Sequence, residues 1–368
     1  MPDAFIDILR AEIPEAMERL NVPGCAVALI HDFQLADVLC FGTADRLTNE
    51  AVTPRTRFSL QSISKSIAAW MVLRLVEDGR IDLDRPIGDY LHRWTLPPSP
   101  HFDLALVTPR RLLSHHGGVT VAGFRGVVLD QTGFTLIDAM EGKLPPPTPQ
   151  QEQHYAYWNL PRDDAVVTVT HAPGSGWNYS NAGFGLLELA IEDITGEDFG
   201  TIVERTIFAP LGMTNSCYGR RDGLPYASPH DRQGEPTPDY RWLCGAAGGA
   251  YASIEDLATF ARAGMYIPRT GPGAGVLTPA SVQIMHTAHG DADDIGEFRA
   301  GAGLGHILLD LGGLKNVHHS GGSIGWRSIY SIYPERGSGI CMLMNAEGAN
   351  ELWQPLVFRW AAEQRARA

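Results

Sequence analysis

Lysine is the scarcest charged residue in this chain of 368 amino acids, which contains three lysines and 26 arginines. Acidic residues outnumber Lys and Arg by 42 to 29, and the formal net charge is -13 at pH 7. Such a surplus of negative charge argues against binding to nucleic acids and to anionic membranes, which favour basic proteins. We therefore expect neither a nucleic-acid partner nor a membrane partner.

The chain also lacks an apolar run of 18 residues, so the sequence predicts no transmembrane helix. Its first residues include Asp3 and Asp7, whereas a secretory signal begins with basic residues and continues with an apolar stretch. The sequence therefore predicts a protein that stays in the cytoplasm.

The five cysteines form neither a Cys-x-x-Cys pair nor a spacing typical of zinc sites. Cys25 and Cys40 lie on two apolar runs that a turn at residues 31–34 would fold into a hairpin. A disulfide between them is one alternative, and two reduced, buried thiols are the other, which we favour in a cytoplasmic protein. Pairing of these two cysteines and the oligomeric state are both left open by the sequence.

Strand-like runs lie near both ends of the chain, and short helical segments lie between them. The two apolar runs follow a helix predicted over residues 5–20, and further strands are predicted at 306–311, 326–333 and 339–345. Pro and Gly loops separate the segments in between, most densely at 144–149. This order favours one sheet assembled from the two ends of the chain, with helices inserted between them.

One of the three lysines has a serine three residues before it, in Ser62-Ile63-Ser64-Lys65. A long apolar helix is predicted from about Ser62 to Glu77, and residues three apart on a helix share a face. The amine of Lys65 would then reach the hydroxyl of Ser62, which needs a base to act as a nucleophile. Deprotonating an ordinary lysine at pH 7 costs about 4.6 kcal/mol, so burial or a nearby cation would have to lower its pKa. The alternative is that Ser62 caps the helix and Lys65 lies on the surface.

A second group of polar residues lies where a Pro- and Gly-rich loop meets an apolar helix that begins near Ala182. Tyr179 and Asn181 stand at this junction. A tyrosine hydroxyl can relay protons, and an asparagine amide can both donate and accept hydrogen bonds. The alternative is a structural role for both residues, in which Asn181 caps the helix and the ring of Tyr179 packs against its neighbours.

A third group, His319-Ser320-Gly321-Gly322, precedes the strand predicted at 326–333. Glycines beside a strand often mark a close approach of a ligand to the backbone, and flexible turns are the alternative. The neighbouring pair His318 and His319 raises the question of a metal, but carboxylates at ligand spacing and the HExxH pattern are absent. We expect no metal and no cofactor.

In this order, the three groups resemble the motifs of the serine β-lactamase and penicillin-binding-protein superfamily. The similarity is greatest to its class C β-lactamase-like branch, with the family VIII carboxylesterases and the D-amino-acid peptidases. That superfamily carries Ser-x-x-Lys, then Tyr-x-Asn, then Lys-Thr-Gly or a His-x-Gly variant. The resemblance covers nearly the whole chain and extends to the sequences at 112–118, 208–213, 247–251 and 333–336.

The resemblance implies a β-lactamase/DD-peptidase-like α+β fold, in which helices flank an antiparallel sheet and an all-helical domain is inserted. Residues 1–80 and 226–368 would form the discontinuous sheet domain. Residues 81–225 would form the helical domain. The active site would lie at the interface of the two.

The implied function is that of a serine hydrolase that acts through an acyl-enzyme. Ser62 would attack the carbonyl of a small acyl substrate, and Lys65 and Tyr179 would share the roles of general base and general acid. Asn181 would orient Lys65 and the substrate. The backbone N–H groups of Ser62 and Gly322 would form the oxyanion hole.

His319 departs from the lysine that β-lactamases usually carry in the third motif. His319 and Gly321 would contact the substrate, but an imidazole with an ordinary pKa near 6.5 is mostly neutral at pH 7 and anchors a carboxylate weakly. We therefore favour an esterase acting on a small ester or amide over a β-lactamase or a D-amino-acid peptidase or amidase. A non-catalytic ligand-binding relative is the alternative from a different functional class.

Four aromatic residues are candidate walls of an uncharged pocket, although residues of this kind more often pack in the core. They are Tyr155, Tyr157, Trp158 and Trp326.

Overall fold

The computed structural model describes residues 2–120, 124–160, 166–221, 223–268, 270–295 and 299–366. The strands in these ranges are β1 (Gly24–His31), β2 (Gln34–Asp45), β3 (Glu50–Ala51), β4 (Phe58–Ser59), β5 (Val127–Val128), β6 (Cys217–Tyr218), β7 (Tyr240–Arg241), β8 (Ala250–Ala252), β9 (Ala300–Ala302), β10 (Ile307–Asp310), β11 (Lys315–Ser323), β12 (Trp326–Tyr333) and β13 (Ser338–Met344). The α-helices are α1 (Pro2–Leu20), α2 (Ser64–Glu77), α3 (Pro109–Leu113), α4 (Leu136–Met140), α5 (Pro149–Trp158), α6 (Asn181–Thr195), α7 (Phe199–Val203), α8 (Ala209–Leu211), α9 (Gly245–Gly248), α10 (Ile254–Ala263), α11 (Pro279–Met285) and α12 (Asn350–Ala366). None of the helices described is both long and apolar enough to cross a membrane.

Eight of the strands form one sheet in the order β3-β2-β1-β13-β12-β11-β10-β9, and neighbouring strands are antiparallel. β1 lies inside the sheet, where Cys25 is opposite Met344 of β13. Strands from the two ends of the chain are therefore hydrogen-bonded in one sheet, and the predicted antiparallel sheet flanked by helices is confirmed. The domain boundaries after residues 80 and 225 stay a prediction.

The two faces of the sheet cover separate apolar cores because successive side chains of a strand point to opposite faces. Ala26, Ala28 and Ile30 belong to the core that contains Trp70 of α2 and Phe260 of α10. The alternate residues of β1 face a second core, in which the rings of Phe5 in α1 and Trp360 in α12 lie 4.8 Å apart. The sheet therefore separates α2 from α12.

The predicted hairpin forms, but it places the two cysteines on opposite faces of the sheet. Asp32 and Phe33 connect β1 to β2 with φ angles of 48° and 62°, the left-handed conformation required by a tight hairpin turn. Cys25 is opposite Phe41 and belongs to the core beneath α1 and α12, whereas Cys40 packs against the core beneath α2. Both thiols are free, so the disulfide alternative is wrong.

Two elements differ from the sequence prediction. The helix predicted from Ser62 begins with a 3-10 turn, Gln61–Ile63, and becomes α-helical at Ser64. The segment 315–323 was predicted only to precede a strand, but it forms β11 despite Gly321 and Gly322. Its pairing with β12 supplies the backbone hydrogen bonds that compensate for the low strand propensity of glycine.

Candidate active site

Ser62 lies in a turn whose backbone is held in an uncommon conformation. The preceding residue, Gln61, has a φ angle of 50°, which non-glycine residues rarely adopt and which costs about 1 kcal/mol or more. The side chain of Gln61 is buried, and its Nε2 donates to Ser59 Oγ at 2.7 Å. The backbone N–H of Leu60 donates to the carbonyl of Ala250 in β8 at 2.8 Å. These contacts fix the turn and leave Ser62 partly exposed.

The amine of Lys65 is buried beside Ser62. Its Nζ donates to Ser62 Oγ at 3.1 Å and to the carbonyl oxygen of Ala247 in α9 at 2.8 Å. Within the described part of the chain, Nζ forms no ion pair with a carboxylate, and burial lowers the pKa of Lys65 to about 7. Burial therefore makes an uncharged amine far more accessible near neutral pH than it is for an ordinary lysine.

The alternative of a surface lysine next to a capping serine is wrong. Lys65 is fully buried, and Ile63 occupies the N-cap position of α2 without a side-chain cap.

The hydroxyl of Tyr179 lies near Ser62, whose side chain interacts with it electrostatically, and Lys65 Nζ lies 4.9 Å from the centre of the Tyr179 ring. Burial raises the pKa of Tyr179 above its usual value, so its hydroxyl stays protonated at neutral pH. The ring of His115 stacks on Tyr179 at 4.3 Å, and His115 Nδ1 accepts a hydrogen bond from the backbone N–H of Ser180 at 3.1 Å. His115 therefore fixes both the ring and the backbone next to it.

The N-cap of α6 is Ser180, whose Oγ accepts a hydrogen bond from the backbone N–H of Gly183 at 3.0 Å. The alternative in which Asn181 caps this helix is therefore wrong. Asn181 is instead the first residue of the helix, and its Oδ1 is buried without a hydrogen-bond partner among the residues described. A buried oxygen of this kind is available to a donor group of a ligand.

His319 is 4% exposed, and its ring lies 6.4 Å from the ring of Tyr179. Its Nδ1 lies 2.7 Å from the carbonyl oxygen of Ser320, so this nitrogen carries the proton and Nε2 is an acceptor. No partner for Nε2 is found in the ranges described. Burial and the nearby Lys65 hold the pKa of His319 well below its usual range, so the value near 6.5 assumed from the sequence is too high.

The two neighbouring histidines do not converge on one site. His318 lies on the other face of β11, where its Nδ1 is 3.0 Å from Asn316 Oδ1, and burial lowers its pKa to about 4. No group of three or more His, Cys, Asp or Glu side chains among the described residues could hold a metal ion.

β11 runs directly against the turn that carries Ser62. A methyl group at Gly321 would lie 2.3 Å from the carbonyl oxygen of Leu60 and 2.4 Å from Ser328 Oγ, so only glycine fits there. β10 pairs with β11 as far as His318, and Gly322 beyond it is exposed. The outer edge of β11 next to Ser62 is therefore open to a substrate.

Trp326, one of the four predicted wall residues, belongs to the core. It is 2% exposed, and its ring packs edge-on against Phe58 at 6.3 Å and Tyr251 at 6.4 Å. It begins β12, and the alternation of the strand turns it inward, so this prediction is wrong.

The other three predicted wall residues lie on α5. Tyr157 is 60% exposed, and the guanidinium of Arg232 lies 3.3 Å from the centre of its ring. Trp158 Nε1 donates to Glu347 at 3.0 Å, and its side chain lines a cavity on the α12 face of the sheet. Tyr155 is half-buried. None of these contacts places the three rings beside Ser62.

Sequence reasoning missed three contributors to the site, namely His115, the carbonyl of Ala247 and the backbone of Gln61. The stretch 112–118, which contains His115, resembles the superfamily, but its sequence alone indicates no role for His115. Like Gln61, His115 has a positive φ, of 61°, and propensity does not reveal such backbone conformations.

A family model named Beta-lactamase matches residues 9–361. The chain belongs to the Beta-lactamase family. Penicillin-binding protein 4 of Amycolatopsis lactamdurans is 27% identical to this family member over 353 residues, which cover 91% of this chain and 84% of that protein. Esterase EstB of Burkholderia gladioli is 27% identical over 379 residues, which cover 93% of this chain and 90% of that protein.

A solved structure of a class C beta-lactamase mutant has a TM-score of 0.73 with this Beta-lactamase family protein at 18% identity, covering 98% of this chain and 97% of that chain. The predicted β-lactamase-like fold and the resemblance to this superfamily are confirmed. The chain is thus a member of a serine hydrolase family.

The close approach of Gly321 to the turn predicts that Gly321→Ala moves β11 away from Ser62. We expect a lower melting temperature and a much slower reaction of Ser62 with a fluorophosphonate, since the added methyl meets backbone on one side. Gly88→Ala is the matched control because a methyl there meets nothing within 4 Å. A Gly321→Ala protein that reacts as fast as the control would contradict this contact.

Proposed function

We propose that this protein is a serine hydrolase that cleaves small esters through an acyl-enzyme on Ser62. The observation that carries the proposal is the hydrogen bond from Lys65 Nζ to Ser62 Oγ, in a site where the amine is buried and its pKa is about 7. A neutral amine at this distance is a base matched to neutral pH. An ordinary lysine is protonated at pH 7 and could not accept the proton of Ser62.

In the proposed first step, Ser62 Oγ attacks the ester carbonyl carbon and its proton passes to the uncharged Nζ of Lys65. The resulting ammonium is held by the carbonyl oxygen of Ala247, which already accepts from Nζ. The backbone N–H groups of Ser62 and Gly322 donate to the oxyanion. When the tetrahedral intermediate collapses, the bond to the leaving alcohol breaks and the acyl group stays on Ser62.

The leaving alcohol requires a proton, and Tyr179 is placed to relay it. Its hydroxyl lies near Ser62 and is protonated at neutral pH, so it can give its proton to the alcohol oxygen and regain one from Lys65. A water molecule then attacks the acyl-enzyme, with Lys65 and Tyr179 returning the proton to Ser62 Oγ. The carboxylic acid leaves and the enzyme is restored.

The neutral state of His319 supports an ester in preference to a β-lactam. Its Nε2 and Asn181 Oδ1 are buried acceptors, and neither attracts the carboxylate that a β-lactam carries. The similarity to a protein named an esterase agrees with this choice.

The experiment that tests the proposal is labelling with a fluorophosphonate probe followed by peptide mass spectrometry. We expect the probe mass on the peptide that contains Ser62, and we expect Ser62→Ala to lose both the label and the hydrolysis of p-nitrophenyl butyrate. Ser99→Ala is the control, because the described contacts of Ser99 Oγ are hydrogen bonds from the backbone N–H groups of His101 and Phe102. Label that persists in Ser62→Ala, or wild-type protein that hydrolyses no ester, would favour a ligand-binding relative.

The lowered pKa of Lys65 predicts the direction of the pH profile. Below about pH 7 the amine is protonated and cannot take the proton of Ser62, so kcat/KM for p-nitrophenyl butyrate should rise as the pH increases through about 7 and then level off. Lys143→Ala is the control, because Lys143 is exposed and pairs with Glu141. A profile that stays flat across neutral pH would show that Lys65 is not the base.

His319→Lys tests the choice between ester and β-lactam. A lysine ammonium that pairs with the carboxylate of nitrocefin should raise the ratio of kcat/KM for nitrocefin to that for p-nitrophenyl butyrate by about tenfold or more. The measurement compares both substrates at pH 8 in the variant and in the unmodified protein. Efficient nitrocefin hydrolysis by the unmodified protein would instead restore a β-lactamase as the leading function.

A further inference from the structure

A cavity of about 540 Å³ lies on the α12 face of the sheet, away from Lys65. Its floor is formed by β10, β11 and β12, and α12 forms its roof. Its volume lies in the range of small-molecule sites. β11 lies between this cavity and the catalytic site. Asn316 and His318 line the cavity, whereas His319 faces Tyr179.

Most of the cavity wall is apolar. Leu309 and Ile329 contribute from the sheet, and Trp353, Val357 and Phe358 contribute from α12. Phe358 is 46% exposed, so the apolar surface continues to the rim of the cavity. A ligand that fills this space needs an apolar body.

Arg327 is the one permanently charged side chain among the described residues that line the cavity, and this lining includes neither Asp nor Glu. It is 5% exposed, and its Nη1 donates to the carbonyl oxygens of Ser323 at 2.8 Å and Trp326 at 2.6 Å. Its Nε and Nη2 have no hydrogen-bond partner in the described ranges. The cavity therefore combines apolar walls with one incompletely paired guanidinium.

Glu347, the acidic group that acts electrostatically on Arg327, is committed to other partners. Glu347 Oε1 accepts hydrogen bonds from Trp158 Nε1 at 3.0 Å and lies 2.9 Å from His154 Nδ1. Glu347 influences Arg327 electrostatically, but no carboxylate oxygen of the described residues lies within 4.0 Å of the guanidinium. A buried cation without an ion pair is costly.

We propose that this cavity binds an organic carboxylate with an apolar chain, whose carboxylate pairs with Arg327. The planar guanidinium offers two N–H groups in the geometry that suits a carboxylate, and the chain lies against α12. The cavity adjoins the catalytic cleft at the edge of β11, because Gly321 and Gly322 also line it and a methyl group at Gly322 would lie 2.9 Å from Arg327 Nη1. The proposed ligand lies on the α12 side of this edge. If the proposed esterase activity holds, its acid products belong to this ligand class.

The test is isothermal titration calorimetry with octanoate, and with octan-1-ol as an uncharged probe of the same chain length. We expect Arg327→Gln to weaken octanoate binding about tenfold or more and to leave octan-1-ol binding unchanged, because octan-1-ol has no carboxylate for the guanidinium to pair with. Arg85→Gln is the control, since Arg85 is exposed and pairs with Asp89 away from the cavity. Equal octanoate affinity in Arg327→Gln and the wild type would overturn the proposal.

Val357→Trp provides a second variant in case Arg327→Gln fails to fold, because Arg327 also holds the turn that precedes β12. The larger ring should fill the cavity and abolish binding of both probes while the circular dichroism spectrum stays unchanged. Octanoate should still bind to wild-type protein whose Ser62 has reacted with a fluorophosphonate. If octanoate no longer binds to the blocked protein, its site is the catalytic cleft, and the proposal of a second binding site is wrong.

Discussion

The burial of one amine without a carboxylate partner is the constraint on which the proposed chemistry depends. Lys65 is enclosed by α2, α6 and α9, and its Nζ lies 5.6 Å from the centre of the Phe184 ring. An ammonium is expensive to hold in such surroundings, so the free amine is favoured and becomes a usable base. An acidic neighbour at Nζ would reverse this preference.

The short helix α9 is supported by a second buried ionisable group, Glu188. Its Oε2 accepts a hydrogen bond from the backbone N–H of Ala246 at 2.7 Å, and burial raises the pKa of Glu188 to about 8. This bond satisfies a donor at the start of α9, and the carbonyl of Ala247 then points to Lys65. The backbone of α9 thus donates a hydrogen bond to Glu188 near its start and accepts one from Lys65 near its end.

The sequence was sufficient to predict the three groups of site residues and the order of the main elements, because lysine is scarce and Ser62, Tyr179 and His319 recur in motifs of fixed order. It failed where tertiary contacts override local preference. β11 contains two adjacent glycines and forms only because β12 pairs with it, and Trp326 is buried because of the register of that pairing. His115 stacks on Tyr179 although the two residues are more than sixty positions apart in the sequence, and no local pattern reveals such a contact.

The position of β1 between β2 and β13 has a consequence for how the chain is made on the ribosome. The β1–β2 hairpin can form as soon as it emerges, but the other edge of β1 pairs with residues near 344. At usual rates of synthesis that partner follows roughly 15 to 60 s later. During this interval an apolar strand edge lacks its native neighbour, so early chains depend on α1 or on a chaperone to shield it from other nascent chains.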